Sequence, residues 1–185
     1  MPPQPWKTLS TREIYRNKWM ALHEDIAEMP NGRTTLYGVC EFGQCVGVLP
    51  FVTDDRVALV RQYRYPYRES DRWEMPTGGL RPGEEPVAAA QRELMEEAGY
   101  RAGRLTWLST YYTSKSVVQE TAYLYLGQGL VPAELPPDDT EFLERAELPF
   151  EEVLKLVTMS EIRDSMTVIA VLHAARLREK GDWPK

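Results

Sequence analysis

Between Gly78 and Tyr100 the chain reads GGLRPGEEPVAAAQRELMEEAGY, and its acids are the residues whose type and spacing could do chemistry. Glu96 and Glu97 follow Glu93 by three and four positions, which on a helix makes them surface neighbours of it. Like charges so placed repel by about 0.2–0.5 kcal/mol per pair in an isolated helix. Arg92 is the sole cation in the run Arg92-Glu93-Leu94-Met95-Glu96-Glu97, so interleaved lysines do not relieve that repulsion. Divalent cations would relieve it, because hard Mg²⁺ takes oxygen ligands while keeping several waters. For Glu96-Glu97 alone, a solvated acidic face is the competing explanation.

The elements that must hold these acids are legible around them. Gly78-Gly79-Leu80-Arg81-Pro82-Gly83 is a glycine-rich loop opening into a helix. Glu84 and Glu85 suit the exposed N–H groups at a helix start, Pro86 is tolerated in the first turn, and Gly99 suits a left-handed cap. Val87, Ala90, Leu94 and Ala98 step by three or four residues and predict the buried stripe. The carboxylates then project from a different arc.

This string resembles the Nudix box. Gly78, Glu84, Arg92, Glu93, Leu94, Glu96, Glu97 and Gly99 all fall at the positions that family fixes, and only Tyr100 departs, where an aliphatic residue is usual. The resemblance implies a mixed β-sheet sandwiched between helices, of α/β or α+β class, with the box as loop, helix and loop on one edge. It implies Glu93 and Glu97 as metal ligands, Glu96 as a third, and the backbone carbonyl of Thr77 as another. The ion is Mg²⁺, with Mn²⁺ as the alternative. Arg92 is expected to hold the cluster by pairing with Glu84 or a box carboxylate.

Upstream, QYRYP and WEMPTGG resemble the approach to the box in the ADP-ribose and ADP-sugar pyrophosphatase branch of that family. There the residues matching Arg64 and Glu74 lie near substrate, beside Gly78 and Gly79; an edge-strand arginine and a salt-bridged glutamate are the plain alternatives. Glu120 matches a loop glutamate of the branch that touches metal or ligand, and a surface role stays open for it. Lys115 stands where the branch usually has proline. Asp139 and Glu141 fall where an acid outside the box is placed, and a short strand would put both on one face. The general base is Glu141 first, Asp139 second, with Glu96 the remaining candidate.

The remaining composition is that of an ordinary globular chain: 185 residues, 43% hydrophobic and 27% charged. No apolar run approaches the ~20 residues of a membrane span, and no signal-peptide core opens the chain, so the expectation is a cytoplasmic protein. A net charge of −6 argues against broad nucleic-acid binding and would repel a phosphate substrate unless a bound cation reverses the local sign. Cys40 and Cys45 form one CxxxxC pair, too little for zinc, and receive no function.

In chain order, residues 1–16 carry Pro2, Pro3 and Pro5 and predict a loose start. Strands are predicted over 19–28 and 33–42, joined at Asn31-Gly32, then over 46–53 after a turn near Gly43, and over 56–64. Further strands fall at 105–113 and 121–127, and helices at 149–159 and 164–180, the last burying Met166, Ile169, Ala170, Leu172, His173 and Leu177. The expected division is an N-terminal arm and hairpin over 1–43 and a Nudix domain over 44–185. By analogy with the branch, the arm joins two copies in a homodimer.

The reaction so implied is Mg²⁺-dependent hydrolysis of the pyrophosphate bond of a nucleoside diphosphate sugar, giving a nucleoside monophosphate and a sugar phosphate. Two alternatives remain: a Nudix hydrolase of nucleoside triphosphates or dinucleotides, and a non-catalytic nucleotide sensor on the same scaffold.

Overall fold

The computed structural model describes residues 3–184; Met1 and Pro2, the first of the expected loose start, lie outside the described residues. The chain falls into two units, one running through Gln44 and including Tyr112–Thr121, the other comprising Cys45–Tyr111 and the residues from Ala122 on.

In the first unit β1 (Lys7–Arg16) pairs antiparallel with β2 (Ala21–Glu28), and β2 with the leading part of β3 (Thr34–Pro50). Gly32, at φ +78°, closes the predicted turn, where the Met29 N–H meets the Arg33 carbonyl at 2.8 Å. Two expectations are corrected here. Residues 7–16 form a strand, held to β2 by polar pairs such as Arg12–Glu24 at 2.6 Å and Thr11–Asp25 at 2.7 Å. Every residue of β1 is exposed, so no alternation of apolar side chains announced it. Nor does Gly43 turn the chain: at φ +85° it sits inside a continuous β3, a conformation glycine takes without strain.

The second unit contains β4 (Arg56–Arg61), β5 (Thr77–Gly79), α1 (Pro86–Glu93), most of β6 (Tyr100–Tyr112) and β7 (Val118–Pro132), β8 (Glu144–Pro149), α2 (Phe150–Thr158) and α3 (Ser165–Lys180). The trailing part of β3 pairs with β5, the sheet continues through β7 to β6, and β4 and β8 form a separate antiparallel pair. Period-two alternation sorts the core onto two faces. Val46, Val48 and Tyr125 pack with Ala89, Ala90, Leu94 and Ala98 of the box helix. Leu49, Phe51, Leu124 and Leu126 pack with Phe150, Val153, Ala170 and Val171 of α2 and α3. The predicted arrangement of a mixed sheet between helices is therefore present. Burying a side chain such as Leu94 contributes roughly 1.5–3 kcal/mol, enough to fix the box helix to the sheet.

Four details differ from the sequence reading. The helix does not stay α to Gly99: Leu94–Ala98 is a π turn, closed by the Gly99 N–H on the Leu94 carbonyl. Val87 is exposed, and Ala89 takes its place on the buried stripe. Leu172 is likewise exposed on α3, where Val171 and Ala174 face the core instead. The short strand expected around Asp139 and Glu141 is a turn, closed by the Glu141 N–H on the Asp138 carbonyl at 2.9 Å. Its partner explains the shortfall, since Arg61, the last residue of β4, is already opposite Glu144. The period-two argument for Asp139 and Glu141 thus falls away.

Four consecutive residues leading to the box are each tied to a different element. Glu74 exchanges both backbone hydrogen bonds with Val60 of β4, and the Met75 N–H donates to Thr167 Oγ1 of α3 at 2.9 Å. The Pro76 carbonyl accepts from Val48 of β3, and the Thr77 N–H donates to Glu97 Oε2 at 2.8 Å. Thr167 is itself held by Asp164, whose carboxylate caps α3 through the Thr167 N–H at 2.8 Å.

Candidate active site

Arg92 is the hub of the box. Its Nε and Nη2 donate to the two carboxylate oxygens of Glu84, both at 2.9 Å, a bidentate pair. Its Nη1 reaches Glu93 at 2.6 Å and Glu96 at 2.8 Å, and Nη2 also donates to the Gly79 carbonyl at 3.0 Å. One guanidinium therefore joins the glycine loop, the helix entry and two of the expected ligands. The Arg92 pair holds the Glu84 carboxyl down to about 2. Arg81 adds a second cation to Glu96 at 3.1 Å.

Glu97 is in a different situation. It is 1% exposed, and its carboxylate accepts from the Thr77 N–H. Burial pushes its carboxyl well above the ordinary range, reinforced by the charges of Glu93, Glu141 and Glu74. Burial also raises Glu93, to about 7, against the pull of Arg92. Glycine at position 78 suits this packing, because a Cβ there would lie 2.1 Å from the Glu93 carboxyl and the glutamate would have to move.

These observations test whether a divalent cation fits. Buried carboxylates with raised pKa values and few cations are costly when ionised, and a hard cation is what offsets that cost. The donors are all oxygen, so the chemistry suits Mg²⁺ or Mn²⁺. Among the described residues no three acidic, histidine or cysteine side chains form a ready-made ion cage. The expected ligands are thus neighbours without being preassembled: Glu93 and Glu96 are bonded to Arg92, and Glu97 to the main chain.

The other candidates divide. Arg64 pairs with Glu74, Nη2 to Oε1 at 2.6 Å, and both line a cavity of about 750 Å³ that also meets Trp73, Arg163 and Ser165. Burial raises the Glu74 carboxyl despite that pairing. Glu141 is half-buried, and its charge acts on both Glu93 and Glu97; desolvation raises its own pKa. Asp139 is exposed on the turn. Glu120 belongs to the first unit, where its carbonyl accepts from the Thr113 N–H.

Sequence reasoning missed Arg145 of β8. Its Nε donates to the Glu97 carbonyl at 2.5 Å and its Nη2 to the Glu96 carbonyl at 3.1 Å. With its partner 48 positions away in sequence, only the general demand of a helix end for donors could have pointed to it.

Comparison with known proteins agrees with this geometry. The family profile described as NUDIX domain matches residues 41–167, and one described as nucleoside diphosphate sugar hydrolase N-terminal domain matches residues 6–40. The chain is 35% identical to a methanol dehydrogenase activator of Bacillus methanolicus and 34% identical to an ADP-ribose pyrophosphatase of Bacillus subtilis. Each alignment covers 90% of this chain and 91% of the relative. A solved structure described as an ADP compounds hydrolase superposes with a TM-score of 0.86 at 24% identity, over 99% of this chain and 100% of that one, which speaks to the fold. With a family profile covering most of its length and the box acids gathered on one helix end, the chain belongs to the Nudix family.

Proposed function

We propose that this protein hydrolyses the pyrophosphate bond of a nucleoside diphosphate sugar of the ADP-ribose or ADP-sugar type. It releases a nucleoside monophosphate and a sugar phosphate. The observation that carries the reading is the buried Glu93–Glu97 pair, whose ionised form needs a cation that the chain itself does not supply in full. Relatives named as pyrophosphatases of ADP-ribose and GDP-mannose support the substrate class.

Glu93 and Glu97, with Glu96 and the Thr77 carbonyl, would hold Mg²⁺ or Mn²⁺, which when bound neutralises phosphate oxygens and acidifies water. The protein's own residues do the rest. Glu141 accepts the proton of the attacking water, and burial, by raising its pKa, makes it a stronger base for that task. The water oxygen bonds to one phosphorus, the bridging P–O bond breaks, and the departing phosphate leaves with the sugar. Arg64 orients the diphosphate with a guanidinium already fixed by Glu74, at the mouth of the cavity that receives the group beyond the diphosphate. Arg92 holds the carboxylates of Glu93 and Glu96 in place through its Nη1.

The protein acts as a homodimer through the first unit. The fully exposed β1 and the exposed Trp6, Leu9, Ile14 and Leu36 support this, because a long edge strand with apolar side chains is otherwise an aggregation hazard.

The test is a product-resolved screen with Mg²⁺ of ADP-ribose, GDP-mannose, nucleoside triphosphates and dinucleotides. Monophosphate and sugar phosphate from the diphosphate sugars are the expected products. Free pyrophosphate from triphosphates alone would overturn the substrate class, and tight binding without any product would overturn catalysis.

A further inference from the structure

The box helix ends in a set of main-chain carbonyls that need donors, as every helix C-terminus does. Within the π turn the Leu94 carbonyl is taken by the Gly99 N–H. The Met95 carbonyl accepts from the Leu135 N–H at 3.2 Å, and the Gly99 carbonyl from the Ala133 N–H at 3.0 Å. Of the three carbonyls between them, those of Glu96 and Glu97 both go to Arg145. Its third nitrogen, Nη1, pairs with Glu134 at 2.7 Å. Glu134 lies between Ala133 and Leu135, so one short segment and one arginine together serve four carbonyls of the helix end, those of Met95, Glu96, Glu97 and Gly99.

The placement is favourable on three counts. A cation at a helix C-terminus meets the negative end of the dipole. The guanidinium fork spans adjacent carbonyls, which a lysine ammonium cannot do with the same rigidity. Gly99, in the left-handed region at φ +74°, leaves room for it, since a Cβ there would come to 3.1 Å from the Arg145 Nη1. A π turn has i→i+5 hydrogen bonds in place of the α pattern, and the peptide planes at its C-terminal end depend on outside partners. Those planes carry Glu96 and Glu97.

We infer that Arg145 is a positioning residue for the cation-binding acids: by gripping the Glu96 and Glu97 carbonyls it fixes the direction in which those two carboxylates leave the main chain. The inference rests on the cation reading of the box given above. Arg145 touches neither substrate nor reacting atoms; it acts through the peptide units of the two glutamates. This differs from Arg92, which grips the carboxylates themselves.

The experiment measures Mn²⁺ binding to the full chain, without substrate, by the loss of the free-ion paramagnetic resonance signal. Arg145→Ala, Arg145→Lys and Glu134→Gln are compared with the parent at a temperature where circular dichroism shows each folded. Partners that orient metal ligands typically cost 10–100-fold in affinity when removed, and Arg145→Ala is expected in that range. Arg145→Lys, able to serve one carbonyl well, falls between it and the parent, and Glu134→Gln weakens binding by less. Should Arg145→Ala fail to fold, the lysine variant carries the test. A folded Arg145 variant that binds Mn²⁺ as tightly as the parent, with only its melting temperature lowered, overturns the inference and leaves the arginine a structural cap. A parent that binds no Mn²⁺ overturns the cation reading itself, which is a distinguishable result.

Discussion

A carboxylate that is buried and short of cations is costly to ionise, and Glu97 is in that position. Glu97→Gln is therefore expected to cut turnover by more than about 100-fold, while the metal-free melting temperature stays at or above the parent's. Glu141→Gln should lower kcat by about 10²–10⁴-fold, the usual range for a general base, with Mn²⁺ binding little changed. Glu93 yields a pH prediction. Its carboxyl is raised to about 7 from an ordinary 4.5, so its contribution to stability is present below about 4.5 and is lost as pH rises through 7. Glu84 has the opposite sign: held to about 2, it contributes above 4.5 and loses that as pH falls towards 2. In EDTA the melting temperature should thus decline between pH 5 and 8, Mg²⁺ should restore more at pH 8 than at pH 5, and Glu93→Gln should flatten the decline. A melting temperature in EDTA that rises steadily over that interval would contradict this assignment. Glu84, Glu93 and Glu97 stood out as candidates because the box spacing names them, whereas Glu141, outside the box, rested on the resemblance alone. Their differing burdens were not legible in advance, since burial of Glu97 against Thr77 depends on an element 20 residues away.

At the scale of elements, helices and strands with their own apolar period were readable, and those without it were not. The box helix, α2 and α3 were found nearly to their ends, because Leu94, Val153 and Ala170 sit on regular stripes. β1 was missed because its exposed residues carry no alternation, and the π turn because hydrophobic period does not resolve one extra residue in a single turn. The supposed strand over Asp139 and Glu141 failed because pairing, not local preference, decides where β8 begins. Two substitutions probe the elements. Gly78→Ala would drive a methyl group into the Glu93 carboxyl, so it should weaken Mn²⁺ binding sharply while circular dichroism stays native. Asp164→Ala removes the cap of α3 and should lower stability by about 1 kcal/mol, seen as a shifted urea midpoint at constant slope.

For the molecule as a whole, light scattering after size exclusion should give twice the mass of one chain, and charged substitutions at Leu9 and Ile14 should return it to one. A monomer at micromolar concentration for the parent would count against the dimer. Among the described residues no helix is long and apolar enough to cross a membrane. The stretch from Glu74 to Thr77 has a further consequence. Because β4, α3, β3 and the box each fasten one of its residues, loosening any single element leaves the other three in place. The amide protons of Glu74, Met75 and Thr77, with those of Val48 and Val60, should then be shielded until the entire second unit comes apart. Deuterium uptake at these five sites would follow one common and slowest rate, marking the place where the unit's cooperativity is anchored.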